Sequence, residues 1–395
     1  VGELFAWFIG WNLILEYMMG ATTVAVAWSG YFVKLLHLFG IEFPIWLCND
    51  MATATEKSLA ANLAAPSFAF NLPAFLITWV VTAILVKGIK EAAKTNNIIV
   101  IIKIAVVLFV IIVGAFYVKT ENWVPFIPDE IPALDELGNA TGKMNFGFGG
   151  VLTAATIVFF AYIGFDAVST QAGEAINPKK DVPFAIVASL IICTVLYILV
   201  SLVLTGMVKY TELDRAAPVA SAFSGIGINW AVFIITIAAT AGLTSVMLVM
   251  MLGQTRIFLG MAKDGLMPAF FKVLHPVFKT PYKSTILVGG LISLVAAFTP
   301  IERVSEMCSM GTLLAFAMVC VAVMILRYKK PELERPYKTP AVYLVGTLGV
   351  AFNLFLMTQV RAATWNFFLI WGVLGVIVYF IYGKRNSNLE KQGIE

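Results

Sequence analysis

Phe159-Phe160-Ala161-Tyr162-Ile163-Gly164-Phe165-Asp166 is the stretch whose reading decides the fold. Val158 to Gly164 carries no charge and belongs in a bilayer, yet Gly150 to Ala161 falls short of the ~20 residues a spanning helix needs. The continuation is polar, with Asp166, Ser169, Thr170, Gln171 and Glu174 before Pro178. The pattern is two half-helices joined by a glycine-containing hinge. Backbone freed at such a break must be satisfied by protein, water or ligand, and broken helices of this kind build the midplane sites of secondary transporters. The alternative is a glycine that only lets two helices pack closely.

The rest of the chain supports a membrane setting. Hydrophobic residues make up 60% of the sequence and charged ones 13%, with a mean hydropathy of +0.89, which excludes an ordinary soluble domain. Ten spans are expected at 3–36, 70–87, 98–118, 150–174, 184–208, 229–262, 284–300, 307–327, 340–358 and 365–383. Most of the 27 lysines and arginines fall in alternate connections around 87–94, 179–180, 256–283, 327–338 and 384–391. By the positive-inside rule those connections, and both chain ends, face the cytoplasm. A multi-pass protein of the plasma (inner) membrane is expected. The sequence opens on Val1 and enters a helix at once, which suggests a truncated N-terminus.

The first and sixth spans are both unusually long and run in opposite directions, which hints at an inverted repeat. On that division, residues 1–118 are the last three helices of one repeat, 150–327 a complete second repeat, and 340–383 two further helices, all within a single domain covering 1–395. The fold class is all-α, an inverted five-helix repeat lacking its first two helices.

Three ionisable groups lie within spans, where charge is costly and points to function. Glu16 shares a face with Asn12, Gly20 and Thr23, and is either a coupling carboxylate or a buried acceptor that joins two helices. Lys103 is surrounded by isoleucine, valine and alanine. Burial and a nearby carboxylate would pull its proton affinity in opposite directions, and a balance near physiological pH is what proton coupling requires; snorkelling to the interface is the alternative. Asp166 could be a counter-ion to Lys103, a substrate ligand or a cap for the second half-helix. Tyr197, deep in the fifth span, could supply a hydroxyl partner or simply pack.

Enzyme chemistry has no foothold: the two histidines fall at or beyond helix ends, and no zinc-protease, phosphate-loop or nucleophile-elbow pattern occurs. Nor does a potassium-channel filter or an arginine ladder. The basic residues form no aromatic-interleaved stripe for nucleic acid, the four cysteines show no metal-ligand spacing, and no cofactor is implied.

Several stretches in order give the chain a more specific character. Gly2-Glu3-Leu4-Phe5-Ala6-Trp7-Phe8-Ile9-Gly10-Trp11-Asn12-Leu13-Ile14-Leu15-Glu16-Tyr17, the break itself, Gly173-Glu174-Ala175-Ile176-Asn177-Pro178, Arg256-Ile257-Phe258-Leu259-Gly260-Met261-Ala262-Lys263-Asp264-Gly265 and Ser309-Met310-Gly311-Thr312-Leu313-Leu314-Ala315 resemble the amino acid–polyamine–organocation superfamily, and within it the bacterial relatives of cationic amino acid transporters. The resemblance covers nearly the whole chain. It implies that the carbonyls of Phe160, Ala161 and Ile163 receive a substrate ammonium, that Gly164 and Phe165 shape and gate the pocket, and that Lys103 stands where sodium sits in sodium-coupled relatives. Carboxylate recognition would belong to a glycine-rich break upstream of Val1. Met250, with Val246, Met247 and Val249, gives the pocket an apolar wall. The expected activity is proton-coupled import of small or hydrophobic neutral L-amino acids, with protons and the lipid bilayer as the other partners. A cationic uniporter, an amino acid exchanger and an amino acid sensor or receptor are the alternatives. A small membrane subunit or a sterol in the lipid-facing grooves is left open.

Overall fold

The computed structural model describes residues 2–88, 92–134, 140–165, 177–214, 217–335 and 337–388. Its helices are α1 (Glu3–Leu38), α2 (Met51–Ala60), α3 (Leu72–Lys87), α4 (Ala92–Ala115), α5 (Gly147–Val158), α6 (Pro178–Met207), α7 (Pro218–Gly225), α8 (Asn229–Lys263), α9 (Tyr282–Phe298), α10 (Ile301–Lys329), α11 (Val342–Thr358) and α12 (Ala362–Val378). A short antiparallel hairpin, β1 (Pro132–Leu134) with β2 (Ala140–Met144), precedes α5. Among the described residues six helices are long and apolar enough to cross a membrane, and four shorter apolar helices occupy the remaining expected spans.

The central element is α1, buried along most of its length from Trp7 to Tyr31. Its small and polar face explains this: Gly10, Gly20 and Thr23 let neighbouring backbones come close where lipid supplies no hydrophobic drive for association. The two longest helices, α1 at 36 residues and α8 at 35, pack antiparallel, with Met261 on Gly10, Met250 on Gly20 and Trp28 Nε1 donating to Thr244 Oγ1 at 3.0 Å. Helix α10 covers another flank, placing Cys308 against Gly20 and Gly311 against the Asn12 carbonyl. Buried threonines are kept compatible with this apolar setting by bonding back one turn, as Thr22 does to Met18 O at 2.8 Å and Thr78 to Ala74 O at 2.8 Å.

At one end of the bundle, Trp7, Trp11 and Trp371 stack in series, and the Trp7 and Trp11 indoles donate to the carbonyls of Gly375 and Trp371. Beyond α12, Ser387 donates to the Glu3 carboxylate and Asn388 Nδ2 to Lys263 O at 2.8 Å, so the start of α1, the end of α8 and the segment after α12 meet there. At the opposite end, buried Glu306 receives Arg361 Nε and Thr364 Oγ1, each at 2.7 Å, fastening α10 to α12.

The outer surface is apolar. Phe116, Phe184 and Phe352 are among many large hydrophobic side chains exposed on helix faces, as expected where lipid replaces water.

Candidate functional site

Helix α5 stops where the sequence predicts. Phe159–Tyr162 tightens into a 3-10 turn, Ile163 is extended at φ −60° and ψ 132°, and Gly164 has φ +115°. Only glycine adopts that last conformation without strain, so the hinge is built into the backbone. Among the described residues, no atom lies within 4 Å of where a Cβ on Gly164 would sit; the positive φ is what demands glycine there.

The break is held from two sides. From α6, the Tyr197 hydroxyl donates to Ala161 O at 2.6 Å, the Tyr162 hydroxyl is 3.1 Å from Thr194 Oγ1, and the two tyrosine rings meet edge to face. From α10, Phe316 contacts both Phe159 and Phe165, with ring centroids 6.0 and 5.2 Å apart. The Phe160 carbonyl accepts Ile163 N–H at 3.1 Å. Two of the three carbonyls assigned to an ammonium thus already receive one hydrogen bond each, and each keeps a second lone pair for a ligand. Tyr197 is therefore a brace for the break, whereas the sequence suggested a partner for Asp166. Asp166 itself lies outside the described residues. Thr194 and Phe316 were not recognised from sequence; Thr194 lies three residues before Tyr197 and shares its face of α6, which is the one signal that could have found it.

Phe160 and Ile163 pack against the same buried core as Met250. Met250 is buried, with its sulfur 3.5 Å from where a Gly20 Cβ would lie. Lys103 lies elsewhere: its stem rests on Gly242 of α8, where a Cβ would come within 2.9 Å of the lysine Cε. It shares a cavity of about 310 Å³ with Tyr31, Val106, Val110, Ile235 and Val246. Gly242, Val246 and Met250 recur every four residues, so one face of α8 runs from the lysine to the methionine.

Glu16 is 1% exposed, and Cys308 Sγ donates to its backbone carbonyl at 3.1 Å. Gly253 abuts the Tyr17 ring and Gln254 Nε2 donates to Ile14 O, which sets Glu16 level with residues 253–254 of α8. Lys103 is level with Gly242, so the two charges are separated along the bundle by about 17 Å at 1.5 Å per helical residue. The structure does not bring them together. Gln254 and Ser309, both fully buried in the helices flanking α1, are polar groups that sequence reading passed over.

A tyrosine-braced helix break facing an apolar core, inside an all-helical membrane bundle, is transporter architecture. A family model described as amino acid permease matches residues 1–381. The chain belongs to the amino acid permease family. It is 42% identical over 99% of its length to the branched-chain amino acid permease BcaP of Bacillus subtilis, covering 79% of that protein. It is 40% identical to the methylthioribose transporter of the same organism, again over 99% of this chain and 79% of the relative. Over 84% of its length it is 36% identical to the vacuolar cationic amino acid transporter 4 of Arabidopsis thaliana, of which it covers 52%.

Removal of the brace is expected to impair this permease's uptake without unfolding it. Tyr197→Phe deletes one hydrogen bond of about 0.5–1.5 kcal/mol and keeps the ring. Initial uptake rates should fall by about twofold to tenfold while the melting temperature in detergent stays close to wild type; equal rates would mean that the Ala161 carbonyl needs no positioning.

Proposed function

We propose that this permease imports small or hydrophobic neutral L-amino acids together with protons, by alternating access around the Phe159–Gly164 break. The observation that carries the reading is the break itself: unwound carbonyls of Phe160, Ala161 and Ile163 beside an apolar core. Carbonyl oxygens suit the α-ammonium common to all amino acids, and an apolar wall suits uncharged side chains. The branched-chain substrate in the name of the B. subtilis relative agrees with such a wall. Lys103 is the proposed proton-coupling group; Glu16, Asp166 and Tyr197 are further candidates, Glu16 lying in a different layer of the bundle and Tyr197 acting from the break. Gly164 and Phe165, the latter resting on Phe316, shape and gate the pocket.

The proposed orientation places both chain ends in the cytoplasm. Its support is the collection of Lys179, Lys263, Arg327, Lys384 and Arg385 at the end of the bundle that also holds Glu3 and Ser387. The proposed location is the plasma membrane. The inverted-repeat division at 1–118, 150–327 and 340–383 is part of the same proposal.

The methylthioribose relative favours a second substrate class. A thiosugar has no ammonium for the break carbonyls, so competition separates the two: excess leucine should inhibit uptake of labelled alanine, and methylthioribose should not. Met250→Ser should broaden selectivity by replacing a bulky apolar wall with a small hydroxyl. Labelled arginine uptake is expected to rise by about tenfold, the scale of removing one or two methylene-sized contacts from a selective pocket. Unchanged arginine uptake would remove Met250 from the substrate wall.

A further inference from the structure

Two adjoining cavities open at the bundle end that carries the basic connections, between the start of α6 and the segment after α10. One, of about 520 Å³, is lined by Lys179, Arg327, Arg335 and Lys338 with Glu332 and Glu334. The other, of about 530 Å³, is lined by Lys180, Pro183, Phe184, Val187 and Tyr337, and Lys179 borders both. Counted together, five cations face two carboxylates. Asp181 in the first turn of α6 is a further nearby acid.

The two cavities differ in the chemistry they can hold. Arg335 gives its guanidinium hydrogens to the carbonyls of Pro331 at 2.9 Å and Leu333 at 2.8 Å, and so folds the connecting segment into a polar wall. Lys179, Arg327 and Lys338 are left as the cations of that wall. The start of α6 carries no side-chain cap, and its peptide dipoles add positive potential at Lys179 and Lys180. The second cavity leads away from this charge along an apolar ridge, Phe184, Val187 and Ile191, which are 73%, 52% and 60% exposed. From Lys180 to Ile191 the ridge descends about 16 Å of helix, enough to follow much of one acyl chain.

From this pairing of a cationic hollow with an apolar ridge, we propose that the groove between α6 and the segment after α10 is a binding site for an anionic phospholipid. The phosphate sits among Lys179, Lys180, Arg327 and Lys338, and one acyl chain lies along Phe184 and Val187. Scattered interfacial lysines attract anionic lipid only as a diffuse layer. A concave site with cations from two separate segments holds one headgroup in place. Because the site joins α6, which braces the helix break through Tyr197, to α10, which carries Phe316, lipid binding there stabilises the two elements that flank the break.

The test uses the full-length protein purified in mild detergent with an equimolar mixture of phosphatidylglycerol and phosphatidylcholine, with retained lipid counted by native mass spectrometry. Wild type should retain phosphatidylglycerol preferentially. Lys179→Gln/Arg327→Gln should lower that preference by about fivefold for each cation removed. A control that removes charges at the opposite end, Lys34→Gln/Lys209→Gln, should leave it intact. Phe184→Asn/Val187→Asn should weaken retention with all cations present. Equal losses in the control and the Lys179/Arg327 variant would reduce the effect to net charge. Displacement of the lipid by millimolar glycerol phosphate, or unchanged retention in the Phe184/Val187 variant, would make the hollow a site for soluble anions. Either result, or wild-type retention in the Lys179/Arg327 variant, overturns the proposal.

Discussion

Gly164→Ala is expected to lower amino acid uptake by about tenfold to a hundredfold while leaving the protein inserted and folded. Gly164 has φ +115°, and no atom of the described residues lies within 4 Å of an added methyl group, so the expected effect rests on the backbone. Holding alanine in that conformation costs about 1–3 kcal/mol, and every 1.4 kcal/mol is a factor of ten in population. Relief of the strain by rotation at residue 164 would disturb the neighbouring carbonyls of Phe160, Ala161 and Ile163. Gly372→Ala is the matched control: Gly372 lies in α12, is free of positive φ, and has equal room for a methyl group. Uptake per inserted molecule, measured for both variants in cells, should fall only for Gly164→Ala. Similar rates in the two would mean that the break is incidental to transport.

Lys103→Ala is expected to abolish accumulation driven by a pH gradient while sparing exchange of substrate across the membrane. One pH unit is worth about 1.36 kcal/mol per proton, so a transporter that moves one proton with each substrate gains about tenfold accumulation from it. That tenfold should vanish. Lys103→Arg should fail in the same way, because a guanidinium keeps its proton under all relevant conditions. Counterflow of labelled alanine against internal alanine should persist in both variants. Gradient-driven accumulation retained by Lys103→Ala would return Lys103 to a structural role, its stem filling the space above Gly242 and its amine reaching the interface.

The helix break was legible in the sequence because bilayer thickness sets a length that Gly147–Tyr162 fails to reach, and because a glycine, Gly164, stands where the break takes a positive φ. The ten apolar helices among the described residues were legible for the same reason of length and hydropathy, and the antiparallel course of α1 and α8 followed from their odd offset, the first and the sixth spans. The supports of the break were not. Phe316 and Gln254 have no pattern of their own, since each gains its role from a neighbour more than 100 residues away in sequence, and Thr194 is marked only by sharing a helix face with Tyr197. Tyr197 was recognised as polar and intramembrane, yet its partner is a backbone carbonyl, and carbonyls carry no sequence signal. The separation of Glu16 from Lys103 was equally hidden. Both read as buried charges, and only the register of α1 on α8, set by Gly10, Gly20 and Gly253, places them in different layers.

The most direct test of proton-coupled amino acid import is uptake by the full-length protein in proteoliposomes, comparing labelled alanine with labelled arginine at equal pH on both sides and with the outside made acidic. Alanine should accumulate about tenfold per pH unit imposed, with arginine little changed. Alanine uptake indifferent to the gradient, or arginine accumulated in preference, would contradict the account.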